Sequence, residues 1–516
     1  MTLSQSNASD IQADQHKSTV LWQRLGQVEK WRGPEICAFL ITIIVMFLYR
    51  RLTQPEGGDS AIWDYVAQCI LRGQVPYRDV VEIKSPLSAY LSAVAMFIGK
   101  SVGIRDVIAV RLLNVVMAGL LSTVTFLVGV TYLRSRLAAA IAFAIPLTPS
   151  HFTEWVLGGT EPKLPMILFG MLTLLFVAKR KPFWAGLLSM LSCLCWQPGL
   201  MFTGVAVLIF SRYLTSWRDR AALRVIVGAA VPLIIVVAYF SWVGALSDLW
   251  SWTVAFNLNV YAPETVKSLS ETLALLWKVS IRVFGFDLVF VALGLTGLIA
   301  FLIERVKERF KRGIAADESD LFRDCLLIAP LAYLTFCLIN FQSGPDLIPL
   351  FPFIGLFAGY LMVSVSAFLS ERRLGLLAPS LVLIASLALI LFRAATSRLP
   401  SAALKDQDRQ LAALSSLLEP DDRIYVHGQF EILVLLNKPN MNPYIYFDRG
   451  KDDWIAKRRG GEFRDLLEEM ESQGPKIVAV SRLGRVAHRL EIEGWINEHY
   501  ARISLPGFDG IYVRTR

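Results

Sequence analysis

Apolar residues run along this chain in blocks of roughly 14 to 29 positions, separated by short stretches rich in Lys and Arg. Such blocks are too continuous for the one-sided pattern of a soluble helix, but they satisfy the need of a bilayer for internally hydrogen-bonded apolar helices. The pattern predicts eleven spans, at about 36–52, 107–133, 137–150, 162–178, 183–196, 199–212, 225–243, 281–303, 323–341, 347–369 and 374–393. Basic clusters at 134–136, 179–181, 212–224, 305–312 and 372–373, together with Lys17, Arg24, Lys30 and Arg32, mark the cytoplasmic side. An even number of passes must join neighbouring clusters, so the apolar block 183–211 divides into two short helices at Trp196-Gln197-Pro198-Gly199. The N-terminus is then inside and the C-terminus outside.

Three outer segments exceed simple turns: 53–106, 244–280 and the tail from Ala394. In the first, Ile62, Trp63, Val66, Ile70 and Leu71 recur at helical spacing over 60–71, and a second apolar stretch covers 86–98; both predict helices lying along the membrane surface. The tail alternates strand-like runs at 424–426, 444–447, 476–480 and 511–513 with helical patterns at 430–436 and 462–471. Gly507-Phe508-Asp509-Gly510 supplies turn chemistry for a terminal hairpin. The predicted organisation is a polar cytoplasmic segment over 1–35, a transmembrane domain over 36–393 that opens with an uncleaved signal anchor, and a small α/β domain over 394–516 outside.

Composition agrees. Of 516 residues 54% are hydrophobic and 18% charged, with a mean hydropathy of +0.48, which excludes an ordinary soluble enzyme. The net charge of +9 does not indicate nucleic acid, because most of the cations flank hydrophobic ends. The six cysteines have neither disulfide nor metal-ligand spacing, and Cys193-x-Cys195 reads as packing.

Candidate chemistry gathers in the outer loops. The first carries Asp59, then Arg78 and Asp79, then Glu82 and Lys84; the second carries His151, Glu154, Glu161 and Lys163. Asp59 stands where it would also cap the surface helix, and Glu161-Pro162 suits a helix start. No nucleophile elbow or phosphate-binding glycine loop accompanies them. Acids and a lysine at a membrane's outer surface fit transfer of a group from a lipid phosphate. Lys84 or Arg78 serves the departing phosphate, and a carboxylate deprotonates the incoming hydroxyl or amine. His151 and His427 read as surface or hydrogen-bonding histidines, Trp250, Trp252 and Tyr261 as an aromatic belt, and Asp452-Asp453-Trp454 as a solvated turn.

The order of Asp59, Gly73-x-x-Pro76-Tyr77-Arg78-Asp79, Lys84-Ser85-Pro86-Leu87 and an acid before the fourth span resembles the C-type-fold membrane glycosyltransferases, which include aminoarabinose transferase and protein O-mannosyltransferases. Trp184-Ala185-Gly186-Leu187-Leu188 leading to Gln197-Pro198-Gly199, and the run from Pro345 to Pro352, are similar to that family's later spans. The resemblance implies a polyprenyl-phosphate sugar donor, inversion at the anomeric carbon, and a lipid, glycan or protein acceptor at the outer face of the inner (plasma) membrane. It implies Asp59 as the catalytic acid position, Glu161 as the second acid and Lys84 at the donor phosphate; Asp79 is a further candidate acid from its own place at the lipid boundary, and the departures from the family pattern put phosphate binding on Lys84, Arg78 or Arg282. The chain departs from the family at Trp196-Gln197, where a lysine is frequent, and at Asp346, where an aromatic or histidine is common. No cofactor is specified, and a divalent metal is left open. The competing readings are a flippase or transporter of lipid-linked glycans, and a polysaccharide polymerase or ligase. Transporters place ionisable groups near the bilayer midplane, which these spans hardly do.

Overall fold

The computed structural model describes residues 33–211, 220–312, 318–370, 375–397, 403–481 and 483–515. The segment 1–32 with its basic residues, most of the cluster at 212–224, and Arg372 and Arg373 lie outside the described residues.

Among the described residues, the longer helices of the apolar part and its first outer loop are α1 (Gly33–Leu48), α2 (Gly58–Leu71), α3 (Leu87–Ser101), α4 (Asp106–Leu133), α5 (Arg136–Ala144), α6 (Lys163–Ala178), α7 (Pro182–Cys195), α8 (Leu200–Ser211), α9 (Ala221–Trp242), α10 (Leu269–Phe284), α11 (Leu288–Arg312), α12 (Glu318–Asn340), α13 (Phe351–Ser370) and α14 (Leu377–Thr396). Among the described residues, six helical stretches are long and apolar enough to cross a membrane: Asp106–Leu133, Ala221–Trp242, Leu269–Glu308, Phe322–Asn340, Gly344–Leu369 and Leu377–Thr396. The other expected spans fall on shorter apolar helices. The block 183–211 does divide, with a 3₁₀ turn over Gln197–Gly199. Pro182 opens α7 at a position where its missing N–H costs nothing. Gly186 and Gly228 let α7 and α9 touch backbone to backbone, since a side chain on either would strike the carbonyl of Val225 or Phe183.

Several expectations need correction. The eighth span does not begin at 281: amphipathic α10 precedes it, started by a Ser268–Glu271 capping box and ended by a break at Gly285. Much of the second outer segment is helical too, over 246–265. Helix α2 does not lie free on the surface. Asp64 and Gln68 on its polar side are buried, where Thr160 donates to Asp64, and Gln68 donates to Asp106 and to the Val434 carbonyl. In the tail, 444–447 is no strand, because the Phe447 N–H goes to His427 Nε2 and the Tyr444 N–H to Asn442 Oδ1 rather than to a ladder. Asp452 is no solvated residue but is buried in helix Lys451–Arg459, accepting the His488 N–H at 3.1 Å.

The tail sheet has the order β1-β2-β4-β3, from β1 (Ile424–His427), β2 (Ile477–Val480), β3 (Tyr500–Leu505) and β4 (Phe508–Arg514). β1 and β2 are parallel; β4 is antiparallel to both β2 and β3. Outer loop and tail share cores. Val75, Tyr77, Val81 and Ile83 pack with Phe447 and Ile455, and Ala61, Tyr65 and Val66 pack with Leu433 and Ile445. This shared burial brings the tail over the first outer loop.

Candidate active site

A cleft beside the loops has two joined chambers of about 430 and 470 Å³, the first of them also lined by the tail, and Asp59, Trp63, Lys163 and Ser343 line both. α4 organises its base. The fully buried Arg111 guanidinium donates to the carbonyls of Leu52 and Gln54 at 2.7 Å, to Gly158 at 3.1 Å and to Glu56 Oε2 at 3.0 Å. Asn114 binds the carbonyls of Val156 and Gly159. One helix thereby fixes the first loop against the loop that carries Glu161. Gly159 has a φ of 141°, and a Cβ there would meet Asp64 Oδ2 at 2.7 Å, so only glycine fits. Burial pushes the Asp64 carboxyl up to about 6, against hydrogen bonds from Thr160 that act the other way.

Asp59 is the second residue of α2, and the N-cap position belongs to Gly57 without any side-chain cap bond. Among the described residues the Asp59 carboxylate has no hydrogen-bond or ion-pair partner, and it is exposed to both chambers.

Lys84 is held by its backbone. Gln197 and Asn257 each donate to the Ile83 carbonyl at 2.8 Å, Tyr77 donates to the Lys84 carbonyl at 2.8 Å, and Glu82 Oε1 accepts the N–H groups of Ile83 and Lys84. Gln197, where the resemblance led one to look for a lysine, is thus a support for Lys84. The Lys84 ammonium makes no hydrogen bond or ion pair among the described residues and stands 5.3 Å from the Tyr261 ring and 5.9 Å from that of Trp196.

Glu161 lines the second chamber, accepting from Lys163 N and Nζ at 3.2 and 3.3 Å. Burial pushes its carboxyl up, and the Lys163 charge opposes that. Lys163 also lies 3.7 Å from Asp346 Oδ1 and 4.8 Å from the Trp196 ring. Asp346 in turn accepts the N–H groups of Gln342 and Ser343.

The remaining sequence candidates lie elsewhere. Arg78 and Asp79 pair at 2.8 Å, Asp79 accepts the Val75 N–H, Arg78 donates to the Val243 carbonyl, and neither lines a chamber. Arg282 is exposed on α10, also outside the lining. Trp252 and Tyr261 form no belt, because both are buried. His427 is buried between the Ser481 carbonyl and the Phe447 N–H, and burial depresses it to about 4, so it is neutral.

Sequence reasoning named Lys163 among the loop charges and Tyr261 in an aromatic belt without giving either a role in the site, and passed over Arg449 and Lys451. The first had a signal, since it stands two residues after Glu161. The last two sit in Asp448-Arg449-Gly450-Lys451, and nothing short of the packing of the tail onto Tyr261 points to them. Among the described residues no group of three or more His, Cys, Asp or Glu is arranged to hold a metal ion.

No family model matches the sequence, and no curated protein matches it. The structure is similar to that of ArnT from Cupriavidus metallidurans bound to undecaprenyl phosphate, with a TM-score of 0.61 and 11% identity over 93% of this chain and 97% of that one. It is also similar to the archaeal oligosaccharyltransferase AglB from Archaeoglobus fulgidus in complex with an inhibitory peptide and a dolichol-phosphate, with a TM-score of 0.54 and 12% identity over 87% of this chain and 69% of that one. The chain has the C-type glycosyltransferase fold. With its apolar helices it is a multi-pass membrane protein. In this fold the first chamber lies between loops of the helical part and the C-terminal sheet domain, and the second is lined by loops of the helical part alone.

Proposed function

We propose that the protein is an inverting glycosyltransferase that moves a sugar from a polyprenyl-phosphate donor to an acceptor at the outer face of the membrane. The observation that carries this reading is a carboxylate and an ammonium on one chamber, Asp59 and Lys84, neither of which has a hydrogen-bond or ion-pair partner for its charged group among the described residues, within a fold shared with a protein bound to undecaprenyl phosphate. Asp59 takes the proton of the acceptor hydroxyl or amine as that group attacks the anomeric carbon. The bond from that carbon to the phosphate oxygen breaks, and its electron pair stays on the phosphate, which Lys84 neutralises. Glu161, fixed by Lys163, orients the acceptor or the sugar. The outer-face placement, with a C-terminus outside, rests on the distribution of basic clusters. Charge is sparse in the middle of the apolar helices and dense on the chambers, which favours transfer over transport.

The test is to incubate the purified full-length protein with labelled polyprenyl-phosphate sugars and candidate acceptors, with and without divalent cations, and to score free polyprenyl phosphate. Release dependent on an acceptor supports the reading. A transporter releases none, and a polymerase or ligase requires a diphosphate-linked donor instead.

A further inference from the structure

Tyr261 collects cations from two distant parts of the chain. The Lys84 ammonium of the first outer loop and the Arg449 guanidinium of the tail each stand 5.3 Å from its ring centroid. One Arg449 nitrogen, Nη1, lies 2.7 Å from both the Tyr261 hydroxyl and Gln342 Oε1, and the Tyr261 hydroxyl donates to Gln342 Oε1 at 2.9 Å. Burial works to raise the phenol, yet Lys84, Arg449 and the Gln342 bond outweigh it and leave Tyr261 below the usual range of a tyrosine.

The loop that delivers Arg449 is built for that placement. Arg449 has a φ of 59° and Gly450 a φ of 71°, a pair of left-handed residues that turns the chain sharply. A side chain on Gly450 would meet Val260 and Glu264 Oε1 at 2.6 Å, so the loop presses directly on the helical segment that carries Tyr261. Its other charges are engaged with each other. Buried Lys451 donates to the Asp448 carbonyl at 2.9 Å and to Asp448 Oδ1 at 3.1 Å. Arg449 Nε is 3.8 Å from Asp448 Oδ2, beyond hydrogen-bond reach, and Arg449 Nη2 makes no hydrogen bond among the described residues. The guanidinium is therefore oriented by one nitrogen, and it has donors to spare on the chamber it lines.

We infer that Arg449 and Lys84 act as a two-cation clamp on the donor phosphate, with Tyr261 as the fixed post between them, so that the C-terminal domain completes the donor site. The inference rests on the proposed reading of Lys84 and extends it to the tail. Its chemistry follows from the charge of the group held. In the sugar-linked donor the phosphate is a diester with one negative charge. When the bond to the anomeric carbon breaks, the electron pair stays on the phosphate oxygen, the acceptor's proton goes to Asp59, and the phosphate becomes a monoester with nearly two negative charges. Lys84 balances the first charge and Arg449 meets the second as it develops, so Arg449 binds the departing phosphate more strongly than the intact donor.

Binding to the full-length protein in detergent tests this with two probes, a polyprenyl monophosphate and its methyl diester, on wild type, Lys84→Ala, Arg449→Ala and Arg449→Lys. Lys84→Ala is expected to weaken both probes. Arg449→Ala is expected to weaken the monophosphate roughly tenfold and the diester much less, as fits loss of one partly screened charge-assisted contact. Arg449→Lys recovers part of the difference, and it keeps the comparison available if the alanine variant fails to fold. Equal effects of the Arg449 variants on both probes, or none, overturn the clamp while leaving the reading of Lys84 in place. Unchanged binding in Lys84→Ala overturns the donor-site reading itself.

Discussion

Lys163 holds Glu161 in an ion pair of 3.3 Å in which neither side chain is more than 11% exposed. Removing the cation strands Glu161 and Asp346 as buried carboxylates, and breaking a buried pair from one side costs about 3 to 5 kcal/mol. Lys163→Met is therefore expected to lower the unfolding temperature of the purified protein by several degrees, and Glu161→Gln by less, because a neutral amide still accepts from Lys163. Equal stability of Lys163→Met and wild type would show that the pair is not a structural anchor of the cleft.

Asp64 makes stability depend on pH in an unusual direction. Its carboxyl is pushed from 3.8 to about 6 in the folded protein by burial, so between those values the folded state keeps a proton that the unfolded state has released. A raised carboxyl weakens the fold as pH rises through that window. Asp64→Asn cannot lose a proton there, so the variant should gain stability relative to wild type between pH 4 and about 6 and hold the gain above it. Unfolding temperatures across that range, in both proteins, decide it; parallel curves would remove Asp64 as the cause.

Lys84→Ala should raise the KM for the lipid-linked donor more than the KM for the acceptor, because the only charge deleted is the unpaired ammonium on the donor side. Lys84→Arg keeps a cation and should be milder. An unchanged dependence on donor concentration in the alanine variant would make Lys84 a packing residue.

How far the sequence carried the fold depends on which physical signal was local. Continuous apolar blocks and the Pro198-Gly199 break are local, and they found most of the helices to within a few residues, the eighth span excepted. Helix α10 was lost because its one-sided pattern merges into the apolar run that follows Gly285. Strand β3 was not read as a run of its own, because Arg502 and Ser504 interrupt its apolar residues, although the hairpin expected around Gly507 does join it to β4. At the site, Asp59, Lys84 and Glu161 stood out as charges beside lipid, and the fold gathers all three on joined chambers. Arg78 and Asp79 carried the same signal and instead neutralise each other, since adjacent opposite charges satisfy one another locally. Arg449 and Tyr261 were illegible for the opposite reason. Their partnership spans 188 positions and exists only once the tail has docked on the second outer segment.

A reporter fused after Arg516 tests the topology that places the cleft outside. The basic clusters require an odd number of spans after an inside N-terminus, so a periplasmic alkaline phosphatase should be active and a fluorescent protein that folds only in the cytoplasm should be dark. The reverse pattern would move every residue of the cleft to the cytoplasmic face.

Transfer by Asp59→Asn is the most direct test of the central claim, that an unpaired carboxylate at the start of α2 is the base. The substitution keeps size and removes the charge, and no cap bond is lost because Gly57 holds the N-cap position without a side-chain contribution. The variant should fold and insert as wild type does and should lose about two to four orders of magnitude in turnover, the usual contribution of a positioned proton acceptor. Near wild-type release of polyprenyl phosphate by a folded Asp59→Asn protein would contradict the account.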